Sequence, residues 1–589
     1  MEKIKSFICN HYIIILICLL LVAGIVVPLC NVQTFLGHDV YFHMTRMEAL
    51  AQEIDAGNIP ARLYYFVYDG YGYASPMFYG DLFLIIPALL ILMGVPMPLA
   101  YKAFMIICLC ACVLMAYYCG KKMFLRKSAA VCFAFTYAVS SYFAVDVFTR
   151  AAIGEMQAFI FVPLAFLGLH SIINDSGKYW YYLPIGLAAV LMSHLITSVM
   201  TAFFLLVYAL LHCVKLIKNP KKVLGICFCA VVFAALSASF LFPMLEQLAD
   251  TKFLSTDGSS ATVFGTLEQR SMTLRQLFSL FNFSTTNDPW IPNGIGYLPL
   301  ILVVFRLFAL RKTKFCTGDV FFIAANLCLL LMCNMFPWEK EIFQKLVGTI
   351  QFPWRIMLFA TLFLAFAAAE YSTHLEKEDV RVFVSIVCIA GICAFGSVYV
   401  PRYNVYAGYE ESGYKVVYYK DKNIGFNIGT GEYLPTGTNR NRLYLRGQII
   451  HTDGSNKNYT QEKNGDMYIP IKHGKGMGTY IDLPLIKYKG YTATFTGESG
   501  KVTELTPYYG DNNVLRLYLD GITEDGTVYV TYSGTAIQHT SFIISVISVT
   551  ALAGYIVYST VQAKRKRLQM NIPSPEDGEL SPAEPTELS

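Results

Sequence analysis

Charged residues are scarce in this chain: Asp, Glu, Lys and Arg make up only 15% of its 589 residues. A soluble domain carries about a quarter charged residues, so this composition excludes an ordinary soluble protein. Hydrophobic residues reach 55%, and the mean hydropathy is +0.46. Many apolar runs approach the ~20 residues that cross a ~30 Å hydrocarbon core. The sequence therefore predicts a polytopic α-helical membrane protein.

Two further absences narrow the classes of function. The formal charge is only +5, and no basic stripe occurs outside short flanks of the apolar runs, which argues against nucleic acid as a partner. The sixteen cysteines fall between Cys9 and Cys393, nearly all in apolar runs, and residues 400–540 contain none. Because no CxxC pair and no His-rich tract accompanies them, we predict neither a disulfide framework nor a zinc site.

Clusters of lysine and arginine in short loops indicate how the chain is oriented in the membrane, because cytoplasmic loops are enriched in these two residues. The first apolar run follows a basic start and lacks a small-residue cleavage site, so we predict a retained helix. Placing all basic clusters inside gives about twelve crossings with both termini cytoplasmic. The predicted helices are 11–30, 101–119, 128–145, 155–173, 180–195, 197–214, 223–243, 296–310, 318–336, 355–372, 381–400 and 541–560.

One apolar run, 81–96, would break this parity if it crossed, and it carries Pro87 in its middle. We predict a juxtamembrane or re-entrant helix on the outer side; the alternative is thirteen crossings. The other predicted divisions are a transmembrane domain 1–400 with outer loops 31–100 and 245–295, an extracytoplasmic antiparallel β domain 401–540, a last transmembrane helix 541–563, and a disordered cytoplasmic tail 564–589.

Polar residues cluster at the predicted outer ends of the helices. The stretch GHDVYFHMTR, 37–46, follows the first apolar run; the others are VDVFTRAAIGEM at 145–156, MSHLITS at 192–198 and QFPWRIM at 351–357. Charged groups at the edge of hydrocarbon are costly unless paired or hydrated, and they tend to mark function. We therefore predict one polar cavity open to the outside. Its candidate residues are Asp39, His43, Arg46, Arg150, Glu155, His194 and Arg355.

These residues also have structural interpretations. Asp39 could cap the helix that follows it, because aspartate is among the best N-caps. Arg150 and Glu155 could form a structural ion pair, and Arg355 could anchor the interface beside Trp354. The two histidines could satisfy hydrogen bonds at the membrane interface or at a helix break.

The exit of the first helix resembles the C-type (GT-C) superfamily of membrane glycosyltransferases, in which an acidic residue of the first outer loop is catalytic. Asp39 of GHDVYFH matches that residue by position. The segment RAAIGEM resembles the Arg–x4–Asp element of lipid-linked aminoarabinose and mannosyl transferases, with Glu155 in place of the aspartate. The first loop has no DxD or ExD pair.

A closer resemblance is to bacterial and archaeal membrane proteins said to carry a "6-pyruvoyl-tetrahydropterin synthase-related" domain. It covers most of residues 35–435, although no multi-histidine zinc site for pterin chemistry is present. The resembling segments are GHDVYFHMTR, GYGYASPMFYGDL, RAAIGEM, SHLITS, QFPWR and GEYLP.

The resemblance implies a GT-C-like fold and transfer of a sugar from a polyprenyl-phosphate carrier to an extracytoplasmic glycan, lipid or protein, in the plasma membrane of a prokaryote. Membrane lipids and these two substrates are the implied partners. Asp39 is the expected general base, with His43 and Glu155 as further catalytic candidates. Contacts to phosphate or substrate are expected from Arg46, Arg150, His194 and Arg355. Asp39 and Glu155 could also hold Mg²⁺ or Mn²⁺ through oxygen ligands.

Two other classes of function stay open from the sequence. A flippase or transporter of lipid-linked glycans would carry mid-membrane charges and paired broken helices, which the sequence barely offers. A non-catalytic membrane scaffold would use the β domain to recruit a partner, and it would tolerate substitution of Asp39 and Arg355.

Overall fold

The computed structural model of the protein describes residues 37–256, 266–279, 294–309, 314–411, 428–429, 431–474 and 476–569. The predicted helix 11–30 and most of the predicted tail lie outside these residues. Twenty α-helices occur in the described part, numbered in chain order. They are α1 Val40–Asp55, α2 Ser75–Phe78, α3 Ile85–Leu92, α4 Met97–Phe124, α5 Lys127–Ala138, α6 Ser141–Ala144, α7 Ile153–Asn174, α8 Tyr182–Ser193, α9 Leu195–Leu211, α10 Cys213–Ile217, α11 Pro220–Leu236, α12 Ala238–Asp250, α13 Leu274–Phe278, α14 Leu298–Ala309, α15 Thr317–Met332, α16 Glu341–Val347, α17 Met357–His374, α18 Lys377–Glu411, α19 Arg440–Arg446 and α20 Ala536–Gln569.

Five helical segments of the described chain are long and apolar enough to cross a membrane, or seven when each of two bent pairs counts as one span. The bent pairs are α5 with residues 141–150, at 43°, and α11 with α12, at 75°. Helices α8, α9, α14 and α15 are apolar but shorter. The number of crossings and their orientation therefore stay predictions.

Helix α7 and the segment Pro353–His374 form the centre of the bundle, because 89% of the most apolar stretch of each is buried. Both are rich in Ala, Phe and Leu, so they can be surrounded by other helices without burying charge along most of their length. In α20 the corresponding fraction is 17%, so this helix lies at the edge of the bundle. The central helices begin at Ile153 and Pro353, next to two of the predicted polar patches.

The apolar run 81–96 forms the short 3₁₀ turn Leu82–Leu84 and then α3. Eight helical residues extend about 12 Å, far less than the ~30 Å of a hydrocarbon core. Leu82, Ile86 and Leu89 are each 42–53% exposed, which leaves an apolar face uncovered by protein. This geometry favours the predicted juxtamembrane or re-entrant helix over the alternative of a thirteenth crossing.

In the described residues after α19 there are nine strands, all with antiparallel pairing, in one sheet of order β1-β4-β8-β7 and one of order β2-β3-β9-β5-β6. Alternate residues of β3 are buried, as a half-covered strand requires. The strands are β1 His451–Thr452, β2 Thr460–Gln461, β3 Met467–Ile471, β4 Tyr480–Ile486, β5 Tyr491–Gly497, β6 Val502–Leu505, β7 Tyr508–Tyr509, β8 Val514–Tyr518 and β9 Gly526–Tyr532.

Three predicted boundaries differ from the structure. Helix α18 continues through Pro401 to Glu411, so the predicted domain start at 401 falls inside a helix; membrane helices tolerate proline where neighbours satisfy the freed backbone groups. Helix α20 begins at Ala536 rather than 541. It also continues to Gln569, past the predicted start of the tail at 564, because basic residues such as KRKR favour the C-terminal end of a helix.

Candidate active site

A cavity of about 550 Å³, here called the polar cavity, lies where the segments around residues 39, 79, 150, 194, 255, 352 and 432 meet. Five of the seven predicted residues line it: Asp39, His43, Arg150, His194 and Arg355. Glu155 lies behind the arginines and contacts both of them. The structure thus brings together four sequence patches, the first and last of which are more than 300 residues apart.

Asp39 occupies the N-cap position of α1, but its side chain makes no capping hydrogen bond. Its backbone is held instead by the turn that carries Arg150: Asp39 N donates to Arg150 O at 2.8 Å, and His38 N donates to Thr149 O at 3.3 Å. Asp39 lines the polar cavity, and its side chain does not bond to the first turn of its own helix. Helix capping alone does not account for an aspartate at this position.

Gly37 allows this arrangement because a side chain there would collide with the backbone that follows Arg150. An added Cβ would lie 2.8 Å from Ala151 N and 2.9 Å from Arg150 C. Ala151 itself has φ +55°, an uncommon value for alanine, where a π-helical turn, Val145–Arg150, ends. The tight contact between residues 37–39 and 149–151 fixes Asp39 relative to Arg150.

We expect Gly37→Ala to lower thermal stability, since overpacking costs about 1–3 kcal/mol. The activity proposed below should also fall, by up to about 10²-fold, because the Asp39 carboxylate would be displaced. Gly554→Ala is the control: a Cβ there meets nothing within 4 Å. Thermal melting in detergent and a transfer assay measure the two effects. Equal behaviour of the two variants would show that the close approach is not needed.

Two buried arginines and two buried carboxylates form a network at the floor of the polar cavity. Arg150 Nη1 donates to Asp146 Oδ1 at 2.5 Å and to Glu155 Oε2 at 2.6 Å, and Tyr142 donates its hydroxyl to Glu155 Oε1 at 2.6 Å. Arg355 Nε lies 3.7 Å from the same Glu155 Oε2. Glu155 is thus surrounded by donors, which fixes both guanidinium groups in place.

The aromatic ring of Trp354 and the backbone before it orient the two arginines further. The Arg150 guanidinium carbon lies 4.8 Å from the centre of the Trp354 ring. Arg355 Nη1 donates to Ile350 O at 2.9 Å and to Gln351 Oε1 at 2.7 Å. Gln351 has φ +63°, a second strained position beside the cavity. Both guanidinium groups are therefore pre-positioned to contact an anion.

Arg46 has surroundings different from those predicted for a phosphate contact. It is buried in an ion pair with Asp81 and donates to Tyr79 O at 3.0 Å and Gly80 O at 2.8 Å. Its guanidinium carbon lies 4.1 Å from the centre of the Tyr79 ring. Arg46 is not among the residues that line the cavity. Its geometry is that of a positioning residue, which holds Tyr79 in the cavity wall.

The two histidines are both buried in the wall of the polar cavity. Burial and the nearby positive charges of Arg46 and Arg150 hold the pKa of His43 well below its usual range, so its ring is neutral at pH 7. His194 caps α9: its Nδ1 accepts from Thr197 N at 3.3 Å. With Nδ1 as acceptor, the proton of a neutral His194 ring is on Nε2, which makes Nε2 a donor.

Sequence reasoning missed one side of the cavity, which the segment 431–440 supplies. Glu432, Tyr433 and Arg440 line it. Ser255 N donates to Glu432 O at 2.8 Å, and the Tyr433 ring stacks on Phe78 at 5.0 Å between centres. No ion pair of Arg440 occurs within the described residues. The signal that could have located this side is the GEYLP motif at 431–435, one of the segments that carry the family resemblance.

The surroundings of the two proposed metal ligands are cationic. Arg150 and Arg355 both contact Glu155, and the positive charges of both also act on Asp39. Such a set of donors fits an anion better than Mg²⁺ or Mn²⁺. No cluster of three or more His, Cys, Asp or Glu side chains suited to a metal ion occurs in the part of the chain that the structure describes.

Comparisons with known proteins place the chain among bacterial membrane proteins. The family described as "Bacterial membrane protein YfhO" matches residues 68–413, more than half of the chain. An uncharacterized protein of Lactococcus lactis subsp. cremoris (strain MG1363) is 22% identical over 624 residues, which cover 96% of this chain and 98% of that protein.

Two solved structures show weaker similarity. The mycobacterial arabinofuranosyltransferase AftD is 11% identical with a TM-score of 0.40; the match covers 68% of this chain and 29% of AftD. The arabinosyltransferase EmbB of Mycobacterium smegmatis is 10% identical with a TM-score of 0.31, covering 88% of this chain and 63% of EmbB. The chain thus spans less than two thirds of the length of either enzyme.

Proposed function

We propose that this chain, which belongs to the YfhO family of bacterial membrane proteins, is a membrane glycosyltransferase. It transfers a sugar from a polyprenyl-phosphate-linked donor to an extracytoplasmic glycan, lipid or protein acceptor. The observation that carries the proposal is the convergence of Asp39, Arg150 and Arg355 on one polar cavity. A carboxylate beside oriented guanidinium groups matches a reaction that needs a base and a phosphate leaving group.

In the proposed reaction the acceptor hydroxyl oxygen forms a bond to the anomeric carbon of the donor sugar, and the bond from that carbon to the phosphate oxygen breaks. Asp39 takes the proton of the hydroxyl as the new bond forms, a contribution of about 10²–10⁴ in rate. The polyprenyl phosphate leaves with the electron pair. Arg150, Arg355 and Arg440, which all line the cavity, stabilise its charge.

An apolar groove beside the polar cavity offers a place for the prenyl tail. Its volume is about 690 Å³, and it lies between α3, α4 and α7. Phe83, four residues after the cavity residue Tyr79, lines the groove. Gln157, two residues after Glu155, also lines it. Leu114 of α4, which also lines the groove, is 65% exposed, so the groove opens toward the lipid side of the bundle. A donor with its phosphate at the arginines could place its tail here.

The test is to compare cell-surface glycans of a strain lacking the gene with strains that express the wild type or Arg355→Ala at equal protein levels. We expect a missing sugar or linkage in the deletion strain, restored by the wild type and not by Arg355→Ala. Arg381→Ala, at an exposed position near the start of α18, is the matched control. Unchanged glycans in the deletion strain would contradict the proposal; restoration by Arg355→Ala would favour a scaffold.

The pH dependence of transfer should carry the signature of Asp39. Burial raises the pKa of the Asp39 carboxyl, although Arg150 and Arg355 lower it in part. A general base acts only when deprotonated, so activity should be lost as the pH falls through this raised pKa, above the usual ~4 for aspartate. In a kcat/KM profile, Arg355→Gln should move the acid limb to still higher pH. An acid limb that Arg355→Gln leaves in place would argue against Asp39 as the titrating group.

The same transfer assay decides whether a divalent cation takes part. We expect full activity in excess EDTA, because the arginines around Glu155 supply the positive charge that a cation would otherwise provide. Addition of Mg²⁺ or Mn²⁺ to the chelated enzyme serves as the control. Loss of activity in EDTA that either cation restores would support the metal site at Asp39 and Glu155 instead.

A further inference from the structure

A second polar cavity, here called the seam cavity, lies where the loop after α1, the end of β9 and the start of α20 meet. Its volume is about 420 Å³, within the range of small-molecule sites. It shares no lining residue with the polar cavity described above. Its chemistry comes from Glu53, Arg62, Tyr65, Tyr532 and Gln538.

Gln538 supplies an acceptor that the protein leaves unused. The residue is 2% exposed, and its Nε2 donates to the Tyr532 hydroxyl at 2.8 Å. That bond fixes the orientation of the amide, so Oε1 faces away from Tyr532. Within the described residues, Gln538 Oε1 is buried without a hydrogen-bond partner. Leaving a buried acceptor unsatisfied costs about 1–3 kcal/mol, which a ligand with a hydroxyl donor would offset.

Glu53 and Arg62 provide an acceptor and a donor of opposite charge in the same cavity. Glu53 Oε2 accepts from Asn58 Nδ2 at 2.7 Å, and Oε1 accepts from Tyr65 N at 2.8 Å. Arg62 Nη1 donates to Ser239 O at 2.9 Å, which anchors the guanidinium to α12. Burial raises the pKa of Glu53 to about 7, so both protonation states are populated near neutral pH.

We infer that the seam cavity binds one unit of a neutral saccharide. A sugar ring carries adjacent hydroxyl groups that both donate and accept, which matches an unused amide oxygen, a carboxylate and a guanidinium within one small cavity. The rings of Tyr65 and Tyr532 supply apolar surface for the carbon–hydrogen face of the ring. When Glu53 is ionised its charge balances that of Arg62, which favours a neutral ligand over a phosphate or a free cation.

The cavity also joins three parts of the chain, so a bound sugar would bridge them. Asn58 Nδ2 donates to Asn464 O at 3.2 Å. Ser239, whose carbonyl accepts from Arg62, donates its backbone N–H to Ser545 Oγ of α20 at 2.9 Å. The inference does not depend on the proposed transfer reaction, because binding is measured without a donor. A saccharide site here would let the protein hold a glycan chain at a second point.

The experiment uses the full chain in lipid nanodiscs. An array of neutral hexose and N-acetylhexosamine oligosaccharides of two to four units is screened, and the best-bound member is measured by saturation-transfer NMR and calorimetry. We expect Gln538→Ala to weaken binding about fivefold or more. Ser533 is exposed and lines the seam cavity, so Ser533→Trp should block binding without disturbing the buried amide of Gln538.

The matched control is Thr540→Ala, at an exposed position two residues further along α20 and outside the cavity. Thermal melting shows whether each variant is folded. Asp39→Asn separates this inference from the proposed transfer, because it should leave saccharide binding at the seam unchanged. The inference is overturned if no oligosaccharide binds, if folded Ser533→Trp binds as well as wild type, or if Asp39→Asn abolishes the binding.

Discussion

Asp39→Asn is expected to lower the rate of sugar transfer by about 10²–10⁴-fold, with little change in the amount of folded protein. Asparagine keeps the size of the side chain but cannot take a proton from the acceptor hydroxyl. The native carboxylate makes no capping bond to α1, so the substitution removes no hydrogen bond from that helix. Transfer should be measured with a lipid-linked sugar donor in membranes that contain equal amounts of protein.

Asp55→Asn is the matched control, since Asp55 is the last residue of the same helix and its side chain is exposed. Its 3.3 Å ion pair with Lys463 lies at the surface and should contribute little. We expect Asp55→Asn to transfer at the wild-type rate. Full activity of Asp39→Asn would remove the general base from the proposed mechanism, and a transporter or a scaffold would then become the better interpretation.

Glu155→Gln is expected to destabilise the protein by about 3–5 kcal/mol, the usual result of removing one partner from a buried ion pair. Glu155 is 1% exposed and contacts both Arg150 and Arg355. Glutamine would leave the two guanidinium groups close to each other with one negative charge fewer between them. A large fall in the midpoint of thermal unfolding in detergent is the measurement.

Glu341→Gln provides the comparison for this substitution. Glu341 pairs with Lys345 at 2.6 Å, but the side chains are 79% and 74% exposed. Solvent screens such a pair, so its removal should cost at most about 0.5 kcal/mol. If the two variants melt at the same temperature, the buried network contributes no more to stability than a surface pair.

Arg150→Met combined with Glu155→Gln should then be tested, because removing both partners of a buried ion pair is less costly than removing one.

The apolar helices could be predicted from sequence because their length and composition are set by the hydrocarbon core. The predicted helix 155–173, for example, corresponds to Ile153–Asn174 in the structure. Predicted boundaries at 401 and 564 differ because the composition changes before the helical backbone ends. A membrane helix can continue into water, where apolar content no longer marks its extent.

The candidate site could be predicted in part because its charged residues lie at the ends of apolar helices. Charged residues at the ends of apolar helices are few, so Asp39, Arg150 and Arg355 stood out from their neighbours. Arg46 has the same local appearance, yet it pairs with Asp81 and lies outside the lining of the cavity. Glu432 stood in a polar segment where charge is unremarkable. Only the packing of distant segments separates these cases, and a single sequence does not contain that information.

Because the segment 431–440 forms one wall of the polar cavity, the cavity is completed late in the synthesis of the chain. The first residue of the polar cavity is made about 400 residues before Arg440. At ~5–20 residues per second, roughly 20–80 s pass between them. Until Arg440 is made, Asp39 and the arginines already synthesised lack one side of their enclosure. The protein therefore acquires a closed site only after most of its length has been inserted, so a chain interrupted during synthesis carries the charged groups without the cavity that gives them a function.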